Sequence, residues 1–166
     1  MCHFYFVDAY QRCIYNQRLI MRVVIQRVKE AQVKVASQVV GQISQGLLIF
    51  LGVARDDSPA SADYLIKKIT ELRIFEDAQG KMNVGAQEAG AEYLVVSQFT
   101  LYGNCEKGRR PSFDEAADPA KGEVLYNYFV TQLKATKAIV ATGQFRTMMD
   151  VSLINDGPVT IIIDSK

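Results

Sequence analysis

Two short polar segments hold the residue types from which an active site could be assembled. Ser97-Gln98-Phe99-Thr100-Leu101-Tyr102-Gly103 brings three hydroxyls and a carboxamide to the end of an apolar run, and Asn155-Asp156-Gly157-Pro158-Val159-Thr160 separates two others. Hydroxyls so placed can attack an acyl centre only if a neighbouring base takes the proton. The composition withholds that base: the only histidine among 166 residues is His3, close to the N-terminus. A Ser-His-Asp or Cys-His arrangement, or a histidine-ligated metal, would have to recruit it from there. Cys2, Cys13 and Cys105 are odd in number and unrelated in spacing, which fits neither a disulfide framework nor a zinc ribbon and suits a reducing, cytoplasmic compartment. On pattern alone each segment also fits ordinary loop chemistry, since polar residues leave buried strands wherever loops begin and Asn-Asp-Gly-Pro favours turns.

Charge narrows the partners. Lys and Arg number 19 against 18 Asp and Glu, a net charge of +1, so no global field attracts nucleic acid. Such affinity has to come from a local patch, and Lys107, Arg109 and Arg110 place three cations within four residues beside the first polar segment. A solvated loop is the competing reading. Only Phe99 and Tyr102 adjoin the loop, fewer aromatics than a base-stacking platform usually interleaves with its cations.

The elements that must position these residues are short. Apolar residues make up 49% and charged residues 22%, which with this length gives one ordinary domain able to bury a core without disulfides or a structural metal. No apolar stretch is long enough for a signal segment or a membrane span. Residues 1–20 read as an extension outside the domain, because clean periodicity begins only after Met21. Arg22–Val28 and Gln32–Val40 read as Val-rich strands, with Gly41 and Gly46 punctuating a hairpin-like region. Gly46–Val53 reads as a strand buried on both faces. Ser58-Pro59 opens a helix carrying Leu65, Ile69 and Leu72, with Lys67 and Lys68 facing water. Arg73–Glu76 is expected as a strand, Asp77–Gly80 as a turn, Lys81-Met82-Asn83 as loop, and Tyr93–Phe99 as a second buried strand. Asp118-Pro119 opens another helix, with Val124, Leu125, Tyr128, Phe129 and Leu133 on one face. Strands at Ala138–Ala141, Met149–Ile154 and Val159–Asp164 close a single α+β domain over 21–166.

Five blocks, in order, resemble the D-aminoacyl-tRNA deacylases: Met21 to Arg27, Gly80-Lys81-Met82-Asn83, Ser97 to Tyr102, Lys107-Gly108-Arg109-Arg110-Pro111-Ser112-Phe113, and Asn155 to Thr160. The resemblance covers about 146 of the 166 residues, and five blocks in register are far more specific than any one. It implies a mixed, barrel-like sheet covered by two helices, in a cytoplasmic homodimer that acts without cofactor or metal. The implied reaction is hydrolysis of the ester joining a D-amino acid, or glycine, to the terminal adenosine of tRNA.

With no base to activate a hydroxyl, an oxyanion hole of backbone N–H groups at Phe99 and Thr100, beside Gln98, remains, with the ribose 2′-hydroxyl helping to activate water. By the resemblance, Gly157-Pro158 carries a cis peptide whose carbonyls enter the partner's pocket where an L-side chain would have to go. Arg27 matches the arginine that orients this loop, and Ser97, Gln98 and Met149 match pocket positions. Lys107, Arg109 and Arg110 would then meet tRNA. One departure stands out, since Phe145-Arg146-Thr147 replaces the family's usual Phe-Gly-Ala. The competing classes are a non-catalytic nucleic-acid-binding module and a hydrolase of small esters.

Overall fold

A single long strand organises the sheet in the computed structural model, which describes residues 20–106 and 108–166. Strand β1 (Arg22–Val35) buries Val23, Ile25, Val28, Ala31 and Val33. One of its edges pairs antiparallel first with β3 (Gly46–Gly52), through Arg22–Val28, and then with β2 (Gln38–Ile43), through Ala31–Val35. Its other edge pairs antiparallel with β8 (Asp150–Asp164) over nearly its whole length. Beyond β3 lie β6 (Glu92–Ser97) and β7 (Val140–Thr142), each parallel to its predecessor. β2 curls back onto β7 so closely that a Cβ on Gly41 would lie 2.2 Å from the Thr142 carbonyl oxygen. Only glycine permits this approach, and it brings the sheet near to closure.

The helices cover one face. α1 (Pro59–Glu71) and α2 (Pro119–Ala135) bury Leu65, Ile69, Phe129 and Leu133 against Val23, Ile25, Leu47, Ile49 and Val95. Leu48, Leu94 and Val96 turn the other way, into a second cluster with Val28, Val33 and Ile43 inside the curl. The expectation that Gly46–Val53 is buried on both faces is met, because β3 lies between these two clusters. Both helix starts behave as their sequences require. Pro59 follows an extended Ser58, and the Asp118 carboxylate accepts from the Ala120 and Lys121 N–H groups (3.0 and 3.1 Å). No helix among the described residues is long and apolar enough to cross a membrane.

Several boundaries differ from those read in the sequence. The expected second strand, Gln32–Val40, belongs partly to β1 and partly to β2, with a two-residue turn at Ala36-Ser37 between them. Both turn residues have positive φ (47° and 66°), a conformation usually announced by Asn-Gly rather than Ala-Ser. Lys81-Met82-Asn83 is not a plain loop, since β4 (Arg73–Glu76) and β5 (Met82–Gly85) form a hairpin. Asp77 ties its turn, accepting from the Gln79 and Lys81 N–H groups and from Asn83 Nδ2, bonds that hold its carboxyl below the usual range. On α2, Val124 is 67% exposed, and Tyr126 and Val130 take the buried stripe with Leu125, Phe129 and Leu133. The final strands are one, because pairing resumes on both sides of the Asp156–Val159 bulge. Residues 1–19, the bulk of the expected extension, lie outside the described residues, as does Lys107.

The chain leading into β1 is anchored by a buried carboxylate. Asp57 accepts from the Met21 N–H (2.7 Å) and the Ala54 N–H (2.6 Å). Burial pushes its carboxyl above the ordinary range, against the pull of those two bonds. Asp57→Ala strands two buried backbone donors and is expected to cost about 1–3 kcal/mol, read as a lower midpoint in urea unfolding with an unchanged slope.

Candidate functional site

An open cleft of about 760 Å³ forms where β6 ends. Its floor is Val96, Ser97 and Gln98, one wall is Phe99 and Thr100 at the start of the 3₁₀ turn Phe99–Tyr102, and the start of α2 at Asp118, Pro119 and Gly122 also lines it. The segment between β7 and β8 closes it with Phe145, Arg146, Thr147, Met148 and Met149. Parallel pairing of β6 with β3 fixes the floor, and the Gln98 N–H extends that ladder by donating to the Leu51 carbonyl (2.8 Å). The chain then leaves the sheet. The Gln98 side-chain amide donates to Thr100 Oγ1, so the threonine hydroxyl is already engaged. Neither the Phe99 nor the Thr100 N–H finds an acceptor among the described residues, as befits the first positions of a helical turn. Two adjacent amide donors therefore stand free at the cleft.

Tyr102 is not a reactive group. It is buried, its hydroxyl donates to the carbonyls of Ile20 (2.8 Å) and Gly52 (3.0 Å), and burial drives its phenol far above the ordinary range. It serves to pin the turn. Tyr126 does the same beneath β6, donating to the Val95 carbonyl (2.9 Å), with burial pushing its phenol up to about 12. Asp118 lines the cleft, and its Oδ1 caps α2. Phe99 is 55% exposed and meets Phe113 edge-on at 5.0 Å. The sequence reading did not assign Phe113, Phe145, Gly122 or Asp118 to the site. Phe113 was within reach, since it ends the basic block next to the 97–102 motif. The others belong to elements distant in sequence that only the fold brings together.

The second motif lies elsewhere in the chain. Arg27 pairs with Leu47 and Ser97 with Leu51, four residues further along β3, about 13 Å at the ~3.3 Å rise of a strand. Neither Gly157 nor Pro158 lines the cleft of their own chain. Between Asn155, opposite Val28, and Thr160, opposite Gln26, four residues of β8 bulge out against the single residue Arg27. Asn155 pinches the base of the bulge, its Oδ1 accepting from the Val159 N–H (3.0 Å) and its Nδ2 donating to the Val159 carbonyl (3.3 Å). The Gly157-Pro158 peptide is cis and Gly157 has φ +123°, in the region that favours glycine. Arg27 is 4% exposed. Its Nη1 donates to the Ile74 carbonyl (2.5 Å), its Nε lies 3.0 Å from Asp156 Oδ2 as an ion pair without hydrogen-bond alignment, and Nη2 is 3.7 Å from Glu76. A Cβ on Gly157 would sit 3.3 Å from that Nη2, so the guanidinium packs directly under the loop.

The structure thus brings Ser97, Gln98, Phe99, Thr100 and Met149 together, and separately Arg27, Gly157 and Pro158. Arg109 and Arg110 are exposed and outside the cleft lining, on a loop closed at its base by paired Asn104 and Ser112 (2.8 and 2.9 Å). Phe113, next in the chain, carries that base into the cleft wall.

Residues 24–164 match the family model described as D-Tyr-tRNA(Tyr) deacylase. The chain belongs to that family. It is 57% identical over 146 residues to the D-aminoacyl-tRNA deacylase of Desulfatibacillum aliphaticivorans, covering 88% of this chain and all of the relative. It is 55% identical over 148 residues to that of Symbiobacterium thermophilum, covering 89% and 98%. Among solved structures, one described as a c-Myc DNA unwinding element binding protein superposes with a TM-score of 0.82 at 36% identity, over 87% of this chain and 99% of that one. A probable eukaryotic D-amino acid tRNA deacylase gives 0.75 at 18% identity over 87% and 98%, a likeness of fold. The near-closed mixed sheet with two helices is thus the deacylase fold. Within it, Tyr102→Phe is expected to lower stability by about 1 kcal/mol, by losing the one O–H donor shared between the Ile20 and Gly52 carbonyls, and to leave the pH profile of turnover unchanged.

Proposed function

We propose that this chain hydrolyses the ester of D-aminoacyl-tRNA, and of glycine mischarged on tRNA, releasing free amino acid and tRNA while rejecting the L-form. Family membership over residues 24–164 supports the reaction class. The single observation that carries the mechanism is the pair of N–H groups at Phe99 and Thr100 that find no acceptor among the described residues, at a cleft whose described lining holds no histidine. These donors receive the oxyanion as water attacks the acyl carbon, each contributing roughly 2.7–4 kcal/mol. The ribose 2′-hydroxyl assists in taking the water proton, the bond from the acyl carbon to the ribose oxygen breaks, and a proton passes to that oxygen. Gln98 steadies the turn, while Ser97 and Met149 border the bound amino acid and adenosine.

Chirality needs the second motif, and in one chain that motif is at the wrong end of β3. In this reading a homodimer supplies it, with the partner's Gly157-Pro158 carbonyls filling the side on which an L-side chain would project and Arg27 holding them. Exclusion by backbone leaves the D-side open and cannot refuse glycine, which has no side chain. Arg109, Arg110 and Lys107 face the acceptor stem in the cytoplasm, residues 21–166 form the working domain, and residues 1–20 are an extension outside it.

The test is release of tyrosine or glycine from D-Tyr-tRNA, Gly-tRNA and L-Tyr-tRNA, with a simple D-tyrosine ester as control. Rapid hydrolysis of the first two alone is the expected result, and equal rates on both enantiomers would sink the filter. A second reading, a nucleic-acid-binding module without chemistry, draws on the likeness to the DNA unwinding element binding protein. It predicts binding of single strands with no amino acid released. Thr100→Ala keeps the backbone donor and is expected to slow turnover about tenfold or less. Complete loss in a folded variant would restore a threonine nucleophile.

A further inference from the structure

Four described residues other than glycine have positive φ: Ala36, Ser37, Lys137 and Arg146. The first two make the β1–β2 turn, and Lys137 ends α2 at the position where a left-handed residue commonly stops a helix. Arg146 (φ +57°) differs in lining the cleft. A Cβ is disfavoured in that conformation, so glycine would be the easier residue here, and a long cation stands instead.

The surroundings of Arg146 say what it is suited to bind. Among the described residues of the cleft lining the only other charged one is Asp118, whose Oδ1 accepts from two N–H groups at the start of α2 and which forms no ion pair with Arg146. Among the described residues Arg146 pairs with no carboxylate, and it is exposed at the mouth. Lining the same cleft, Phe99 is 55% and Met148, two residues on from Arg146 in the chain, 92% exposed, both apolar. Apolar surface next to an unneutralised guanidinium matches a nucleotide, whose base lies on the first and whose phosphate takes the fork of the second.

We propose that Arg146 binds a backbone phosphate of the single-stranded 3′ end of the tRNA, just outside the terminal nucleoside. The inference rests on the deacylase reading, in which aminoacyl ester and adenosine fill the interior of the cleft. The phosphodiester joining that adenosine to the preceding nucleotide is then the first anion at the mouth. Arg146 in this role binds substrate and takes no part in bond breaking.

The experiment compares parent, Arg146→Gly and Arg146→Lys on D-Tyr-tRNA and on 2′(3′)-O-D-tyrosyl-adenosine, which has the same ester and no phosphate. For Arg146→Gly on the tRNA substrate, KM is expected to rise about five- to tenfold with kcat changed less than about twofold. The slope of log kcat/KM against log salt becomes shallower by about 0.7, the share of one single-strand phosphate. The loss with the tRNA exceeds that with the nucleoside ester by at least about fivefold, and Arg146→Lys recovers most of the slope. Thermal unfolding of Arg146→Gly is not lowered, since glycine suits the backbone, so a weaker KM cannot be charged to misfolding. Unchanged KM and salt slope, or equal losses on the two substrates, would overturn the proposal while leaving the deacylase reading intact. A parent protein that releases no tyrosine from either substrate overturns the reading itself, and the proposal with it.

Discussion

Strand β1 is hydrogen-bonded along both edges, and everything chemical in the molecule hangs from it. On one edge it holds β3, which holds β6, whose end is the floor of the cleft. On the other it holds β8, which carries the Gly157-Pro158 bulge. Because one strand sets both registers, the two motifs are held about 13 Å apart along β3 by the ~3.3 Å rise per residue. The homodimer of the proposed function answers this separation by bringing the second motif from the partner.

Several polar side chains hold the walls of the cleft. Behind the 3₁₀ turn the Tyr102 hydroxyl lies within hydrogen-bond distance of two carbonyls, Asp118 Oδ1 caps a helix, and Thr100 Oγ1 accepts from Gln98. The two amides at Phe99 and Thr100 have no acceptor among the described residues. Ester hydrolysis suits such a site because its main demand is charge stabilisation on the carbonyl oxygen, which fixed N–H dipoles meet without reorganising. In the proposed reaction the proton chemistry falls to water and to the substrate's own hydroxyl.

Much of the fold was legible because its signals are local. Glycines bounding an apolar run marked β3, and Ser58-Pro59 and Asp118-Pro119 marked both helix starts. The β1–β2 turn escaped because Ala36-Ser37 takes a left-handed conformation that pairing on both sides imposes and that neither residue announces. Val124 was placed on the wrong side of α2 because an apolar residue at nearly the right spacing is indistinguishable from a core one until the partner surface is known. At the site, the 97–102 and 155–160 segments stood out by residue type, and their assignment to function came through resemblance. Phe145, Gly122 and Asp118 could not have been added, since only the packing of α2 and the β7–β8 segment against β6 makes them neighbours. Arg27 is set apart in the sequence only by resemblance, since nothing local tells a strand cation facing water from one that is buried, as this one is, among Asp156, Glu76 and the Ile74 carbonyl.

A filter made of main-chain atoms has a particular vulnerability. Carbonyls cannot be mutated, so side-chain changes in the bulge itself alter it less than changes in whatever aims it. Three groups aim it here: Asn155, which closes the base of the bulge on Val159; Asp156, which gives Arg27 an anionic partner; and Arg27, which is fixed at its far side to the β4–β5 hairpin through Ile74. A buried guanidinium needs its partners to remain charged and bonded, so loss of either carboxylate or of the hairpin contact loosens the same loop. The hairpin is in turn tied by Asp77, which places the Gly80–Asn83 block on the support of the Gly157-Pro158 loop, the chiral gate of the proposed function. Selectivity in the proposed reaction accordingly depends on residues that never touch the substrate, whereas rate depends on the two amides that do.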